Sequence, residues 1–120
     1  MEYSKEQVEK AIAYLSSTIV DCEKMQIKFK EGTSHHSLLK NRIKSLSIAK
    51  SLLLEGASKS YTSKDLLEAL PPVQSIIHKT TKAQSKYEMG STQFKRFQHI
   101  IDSMMISQSS IESQIITDAK

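Results

Sequence analysis

The chain has 120 residues, a formal net charge of +4, 38% hydrophobic and 25% charged residues, which fits one soluble domain and is too short for two. Three Gly and two Pro are too few turn residues for an all-β fold, and one Cys excludes an intramolecular disulfide or a Cys-rich zinc site. No apolar run reaches the ~18–20 residues of a membrane span, and the polar start Met1-Glu2-Tyr3-Ser4-Lys5-Glu6 is unlike a secretory signal, so a cytoplasmic location is expected.

A first helix is predicted to begin at Ser4. Gln7 three positions on completes a capping box, and Tyr3 with Val8 forms a hydrophobic staple. Apolar residues then recur at 8, 12, 15, 19, 22 and 29, with Gln26 in the remaining slot, in the alternating four-three steps of a bundle seam. Gly32 is placed to end this helix at a left-handed position. Thr33 or Ser34 caps a second helix that carries Leu39, Ile43, Leu46, Ala49 and Leu53 inward, and Gly56 stops it. Residues 57–60 read as a short linker.

A third helix starts with the same device: Tyr61, Thr62 as the cap, Asp65 three on and Leu66 as the staple partner. Its stripe is Leu66, Leu70, Val73, Ile77, Thr80, Gln84 and Tyr87, and Gly90 ends it. Pro71-Pro72 interrupts it. A proline inside a helix removes a donor and clashes with the preceding turn, so a kink, or a new helix starting at an N1 proline, is expected; the second reading is preferred. Ser91 or Thr92 caps a fourth helix that carries Phe94, Phe97, Ile101, Met104 and Ile111 inward and runs to about residue 116.

The likeness of the halves is quantitative. Shifting the chain by 58 residues gives 12 identities in the 54 pairs from 3/61 to 56/114, against about three or four from ordinary residue usage. The identities include Gln26/Gln84, Gly32/Gly90, Ser45/Ser103 and Ile48/Ile106. The expected fold is therefore all-α: an up-down-up-down four-helix bundle of two tandem-repeated hairpins with pseudo-two-fold symmetry. Repeat one covers 3–56, the linker 57–60 and repeat two 61–117.

Charge alternates along the chain. Residues 1–23 sum to −3, 24–50 to +6, 51–77 to −1, 78–98 to +4 and 99–120 to −2. In an up-down bundle both Gly-bearing turns share one end, which collects about +10, adding the two basic segments, against −6 elsewhere. Cations in the last turns of the first and third helices complement the helix dipole. Lys40, Arg42, Lys44, Lys95 and Arg96 lie just inside the second and fourth helices and oppose it. They call for acids on neighbouring helices, a solubility role, or an anionic partner such as a nucleic-acid backbone.

Chemistry is sparse. His35 and His36 are adjacent, about 100° apart on a helix, so they do not form a zinc pair. Cys22 sits on the apolar seam and reads as a small buried filler. No Glu-x-x-His, phosphate-loop, dinucleotide or Ser-His-Asp pattern is present, so no catalytic, metal or cofactor site is expected. Gln26 and Gln84 either face each other across the pseudo-axis or meet water where the seam opens. Helices two and four carry apolar residues off their inward stripes. Ile48, Leu52, Met105 and Ile106 are therefore expected to form an outer interface.

The run Gly32-Thr33-Ser34-His35-His36-Ser37-Leu38-Leu39-Lys40-Asn41-Arg42-Ile43-Lys44 resembles one seen in uncharacterised small helical proteins of Gram-positive bacteria and their mobile elements. That resemblance carries no function across. The residues themselves point to a non-enzymatic helical interaction module, with no cofactor, that self-associates or binds a protein through helices two and four. No membrane and no small-molecule substrate is expected. The alternative is a nucleic-acid-binding accessory protein using the basic hairpin-turn end.

Overall fold

The computed structural model describes residues 2–56 and 61–119, so the expected linker 57–60 lies outside the described residues. Four helices pack together: α1 (Lys5–Gln26), α2 (Ser34–Glu55), α3 (Ser63–Gln84) and α4 (Thr92–Asp118). No strand occurs among the described residues.

The starts of the helices follow the local chemistry of the caps. Ser4 Oγ accepts from the Gln7 backbone N–H at 3.1 Å, and Gln7 Oε1 accepts from the Ser4 N–H at 2.8 Å. Thr62 and Asp65 make the same reciprocal pair, at 3.1 Å each way. Thr33 caps α2 through the His36 N–H, and Ser91 caps α4 through the Phe94 N–H. Each such cap stabilises its helix by ~1 kcal/mol.

The ends differ from expectation. α1 stops at Gln26, well before Gly32, and α3 stops at Gln84. Beyond Gln26 the N–H groups of Lys28 and Phe29 bond to carbonyls three residues back, tightening the chain out of the α-helix; Lys86 and Tyr87 do the same. Gly32 and Gly90, at φ +91° and +90°, then turn the chain into the caps of α2 and α4. A Cβ at Gly90 would meet nothing within 4 Å, so Gly90→Ala is opposed by backbone strain alone. It should cost ~1 kcal/mol, read as a lowered midpoint in thermal unfolding with an unchanged helix content.

Pro71 and Pro72 lie inside one continuous α3, which overturns the preferred reading of a new helix at an N1 proline. With no proline N–H to receive, the carbonyls of Leu67 and Glu68 lose their intrahelical donors. Leu67 and Glu68 are exposed, so water can satisfy both groups.

α2 and α4 form the central pair. Each touches all three other helices, whereas α1 and α3 do not touch each other. The core is built from Leu15 on α1, Leu46, Ile48, Ala49 and Leu52 on α2, Leu66, Ala69 and Val73 on α3, and Met104 and Ile111 on α4. Burying each large aliphatic side chain contributes ~1.5–3 kcal/mol. Small residues are buried at i, i+4 on both helices, Ser45 with Ala49 on α2 and Ser103 with Ser107 on α4.

This arrangement corrects the expected outer interface. Ile48, Leu52 and Ile106 are 2%, 6% and 4% exposed and belong to the interior of the one chain; only Met105 of the four is open, at 45%. The single-stripe reading treats each helix as buried on one side. A helix with three neighbours is buried over a much wider arc, so residues off the main stripe meet a second helix instead of solvent.

The buried residues are unevenly distributed along the helices. Buried residues fall in the first part of α1 and α3 and the last part of α2 and α4; toward the turns, Cys22 and Gln84 are the exceptions. Leu39, Ile43, Phe97 and Ile101, expected to point inward, are half-buried. Helices of 22 to 27 residues are ~33–40 Å long and ~10 Å thick. Parallel packing of four would span ~40 Å along one axis and ~20–25 Å along the other two. The observed extents are 44 × 40 × 20 Å. These extents exclude four closely parallel helices, and the radius of gyration, 14.8 Å, exceeds the ~13.5 Å expected for this length.

Candidate functional site

The basic residues singled out in the sequence lie in the first halves of α2 and α4, mostly ahead of the stretches that carry the buried residues of those helices. Lys40, Lys44, Lys95 and Arg96 are exposed and Arg42 is half-buried. Their environments differ. Lys44 Nζ lies 3.2 Å from Asp65 Oδ1 of α3, so an acid on a neighbouring helix accounts for that cation. Arg96 lies over the Phe97 ring at 6.0 Å. Arg42 is held in a groove beside Leu38, Pro71, Pro72 and Ser75, with its Nε buried and without a hydrogen-bond partner.

The Asp65 carboxylate is held below its ordinary value, first by the Thr62 backbone N–H and then by the Lys44 ammonium. A depressed folded pKa stabilises the native state above the unfolded value of 3.8. That contribution is lost as pH falls through the folded pKa. Acid unfolding of Asp65→Asn should therefore show a weaker loss of stability below pH 4 than the parent chain. Equal acid sensitivity would contradict this role for Asp65.

Gln26 and Gln84 neither face each other nor simply meet water. Gln84 Nε2 donates to the Phe94 carbonyl at 3.1 Å and to Gln98 Oε1 at 2.9 Å; Gln26 Nε2 reaches the His36 carbonyl at 3.5 Å. Each amide spans its own turn, to a carbonyl ten residues on. The aromatics of the turns are also engaged with one another. His35 stacks on Phe29 with centroids 4.9 Å apart and planes 11° apart, and Tyr87 packs on Phe97 at 5.6 Å. Cys22 is buried, and burial raises its thiol pKa, with Arg42 pulling it the other way. Among the described residues no group of three or more His, Cys, Asp or Glu gathers as a metal site, and no helix is long and apolar enough to cross a membrane.

Two open grooves of about 310 Å³ flank the central helices. One, between α2 and α3, is spanned by the Lys44–Asp65 pair; the other, between α1 and α4, carries Asp102, which accepts from Gln98 Nε2 at 2.9 Å.

The most exposed large apolar side chains lie at the turns. Ile27, just past α1, is 85% exposed, and Met89, just before Gly90, is 87% exposed; Met25, Leu38 and Tyr87 are also open. Sequence reasoning missed Ile27, because stripes and repeats draw attention to positions that match; Met89 is visible in the sequence as one of four methionines beside the apolar stripes, where core filling explains it as well as a binding surface does. The usable signal is the mismatch. Neither falls on a helical stripe, and their counterparts at 58 residues are Ser85 and Glu31.

The segments flanking these side chains carry Lys24, Lys28, Lys30 and Lys40 on one side of the chain's midpoint and Lys82, Lys86, Lys95 and Arg96 on the other, with Glu31 and Glu88 among them. The charge contrast is shallower than the sequence segments imply. Asp21 and Glu23 lie in the last turns of α1, beside Lys24, and Lys50 lies in the core half of α2. Comparison with known proteins gives no match: no family model, no curated protein and no solved structure is significantly similar to this chain.

Proposed function

We propose that this chain is a non-enzymatic helical interaction module whose contacts are made by the hairpin turns. The carrying observation is the pair of open apolar side chains, Ile27 and Met89, in the connections between α1 and α2 and between α3 and α4. An isolated exposed Leu needs no explanation, but Ile27 has Met25 and Leu38 open on the same helix pair and Met89 has Tyr87, and groups of open apolar side chains mark contact surfaces. This reading keeps the expected role and moves it away from Ile48, Leu52 and Ile106. The engaged state of the groove side chains, an ion pair in one and an amide-bound carboxylate in the other, supports a non-catalytic role.

The finer topology belongs to the same proposal: two copied hairpins in up-down order, with both turns on one side. Supporting it, the Tyr14 ring meets His99 at 6.0 Å, while Gln7 and Lys10 share a groove with residues 98 to 106. That order runs α1 and α4 in opposite directions. Six positions lining this groove, at 7, 10, 99, 102, 103 and 106, correspond at 58 residues to six lining the other, at 65, 68, 41, 44, 45 and 48.

The alternative, a nucleic-acid accessory using Lys40, Arg42, Lys44, Lys95 and Arg96, is less well supported. Lys44 is paired with Asp65, and Arg42 has its Nε buried. Phe29 is stacked on His35 and Tyr87 packs at a tilt on Phe97, which leaves few turn aromatics free for bases. Photo-crosslinking residues placed singly at 27, 89 and 54 in the intact chain, activated in its native cells, test the proposal. Adducts from 27 and 89 but none from the exposed position 54 are expected. Adducts from 54 alone, or from none of the three, would contradict it.

A further inference from the structure

We infer that the surface met by the hairpin turns is an anionic lipid membrane, engaged peripherally by apolar tips inside a collar of lysines. This rests on the turns being the contact surface, and it names what they contact. The absence of a spanning helix does not bear on it, because surface binding needs only shallow apolar insertion plus attraction to anionic headgroups.

Three observations favour a lipid surface over a protein or a nucleic acid. The first is the form of the apolar groups. Ile27 and Met89 stand on turns, at 85% and 87% exposure, one on each hairpin. Single side chains projecting from turns suit a soft interface that closes around them. A shaped protein groove is read instead by side chains at i, i+3, i+4 and i+7 along one helix face.

The second is the type of cation. The collar holds seven lysines, at 24, 28, 30, 40, 82, 86 and 95, and one arginine, Arg96, against the two acids Glu31 and Glu88. Lysine is depleted at protein–protein interfaces, where arginine is enriched. A compact, mobile ammonium suits a diffuse field of headgroup phosphates. The third is what nucleic acid leaves unexplained. A phosphate backbone would use the lysines but would give Ile27 and Met89 nothing to bury against. The aromatics that would stack on bases are paired instead, Phe29 with His35 and Tyr87 with Phe97.

The test is co-sedimentation of the full chain with vesicles of phosphatidylcholine alone, or of phosphatidylcholine with about one-third phosphatidylglycerol. Binding to the mixed vesicles, but not to phosphatidylcholine alone, is expected at low salt and should weaken as salt rises. The double variant Ile27→Asp with Met89→Asp, whose positions are too exposed to disturb folding, should bind about tenfold more weakly or worse. Lys28→Glu with Lys86→Glu should do the same through the charge. Leu54→Asp with Leu67→Asp, exposed elsewhere, should bind as the parent does. Circular dichroism checks that each variant is folded.

No binding to the mixed vesicles at low salt overturns the inference, as does an equal loss in the Leu54/Leu67 variant. Binding of mixed-sequence RNA that ignores Ile27→Asp with Met89→Asp, alongside indifference to vesicles, would assign the surface to nucleic acid. If vesicles fail while crosslinks at 27 and 89 persist, the lipid assignment falls and the turn surface stands. If both fail, the turn surface falls too.

Discussion

Ile48→Glu is expected to abolish the cooperative unfolding transition rather than to strip a folded monomer of an interface. Ile48 is 2% exposed and packed within the shared core. A carboxylate there must either be buried unpaired or force the helices apart. The cost is ~4 kcal/mol or more, against a total stability of ~5–15 kcal/mol for a domain of this kind. Met105→Glu, one helix over and half exposed, should cost less than about 1 kcal/mol. Thermal melts followed by circular dichroism compare the two directly. A folded Ile48→Glu with a parent-like midpoint would mean that α2 does not lie between α1, α3 and α4 as described.

Pro71→Ala is expected to raise stability, by about 1–3 kcal/mol, because alanine restores the donor that the Leu67 carbonyl lacks and removes the ring clash in mid-helix. The proline's restriction of the unfolded chain offsets part of that gain. Pro71 is exposed, so little packing is lost. A shift of several degrees upward in the thermal midpoint should be visible for a chain of this size. The sign separates two architectures. Were Pro71 the first residue of a new helix, its fixed dihedral would favour the native state and alanine would be neutral or destabilising. A fall in the midpoint would therefore restore the broken-helix reading.

These two cases show where the sequence speaks and where it stops. Helix number and starts were legible because they depend on local chemistry: Ser4 with Gln7 and Thr62 with Asp65 each satisfy backbone donors within four residues. The seams were legible through the periodicity of Leu15, Leu46, Leu66, Val73, Met104 and Ile111. The burial of Ile48 and Ile106 was not, because it depends on how many helices surround α2 and α4, a property of the assembled fold. Likewise, the stripe continues along Leu39 and Ile43, yet those residues are half-buried. Periodicity reports which face is apolar, and says nothing of whether a second hairpin reaches far enough to cover it. The proline reading failed for a related reason. Local rules penalise Pro71 and Pro72 in a helix, while packing of Leu66, Ala69 and Val73 on one face holds α3 together across them.

The same division runs through the contact surface. The lysines were visible as a charge run, but the pairing of Lys44 with Asp65 and the burial of Arg42 Nε required the tertiary fold. Ile27 and Met89 stand out only once it is known that nothing packs over them. A residue off every stripe is ordinary in a loop; the same residue in a hairpin turn, with nothing packed over it, is an exposed apolar tip.

Native-state hydrogen exchange, resolved residue by residue, tests the central claim most directly: burial is concentrated in the first parts of α1 and α3 and the last parts of α2 and α4. Amides around Leu15, Leu46 to Leu52, Leu66 to Val73 and Met104 to Ile111 should open only with global unfolding. Those of the last turns of α1 and α3, and the first turns of α2 and α4, should exchange through smaller, local openings. Uniform protection along all four helices would contradict the account, since it would require a core that extends to both turns.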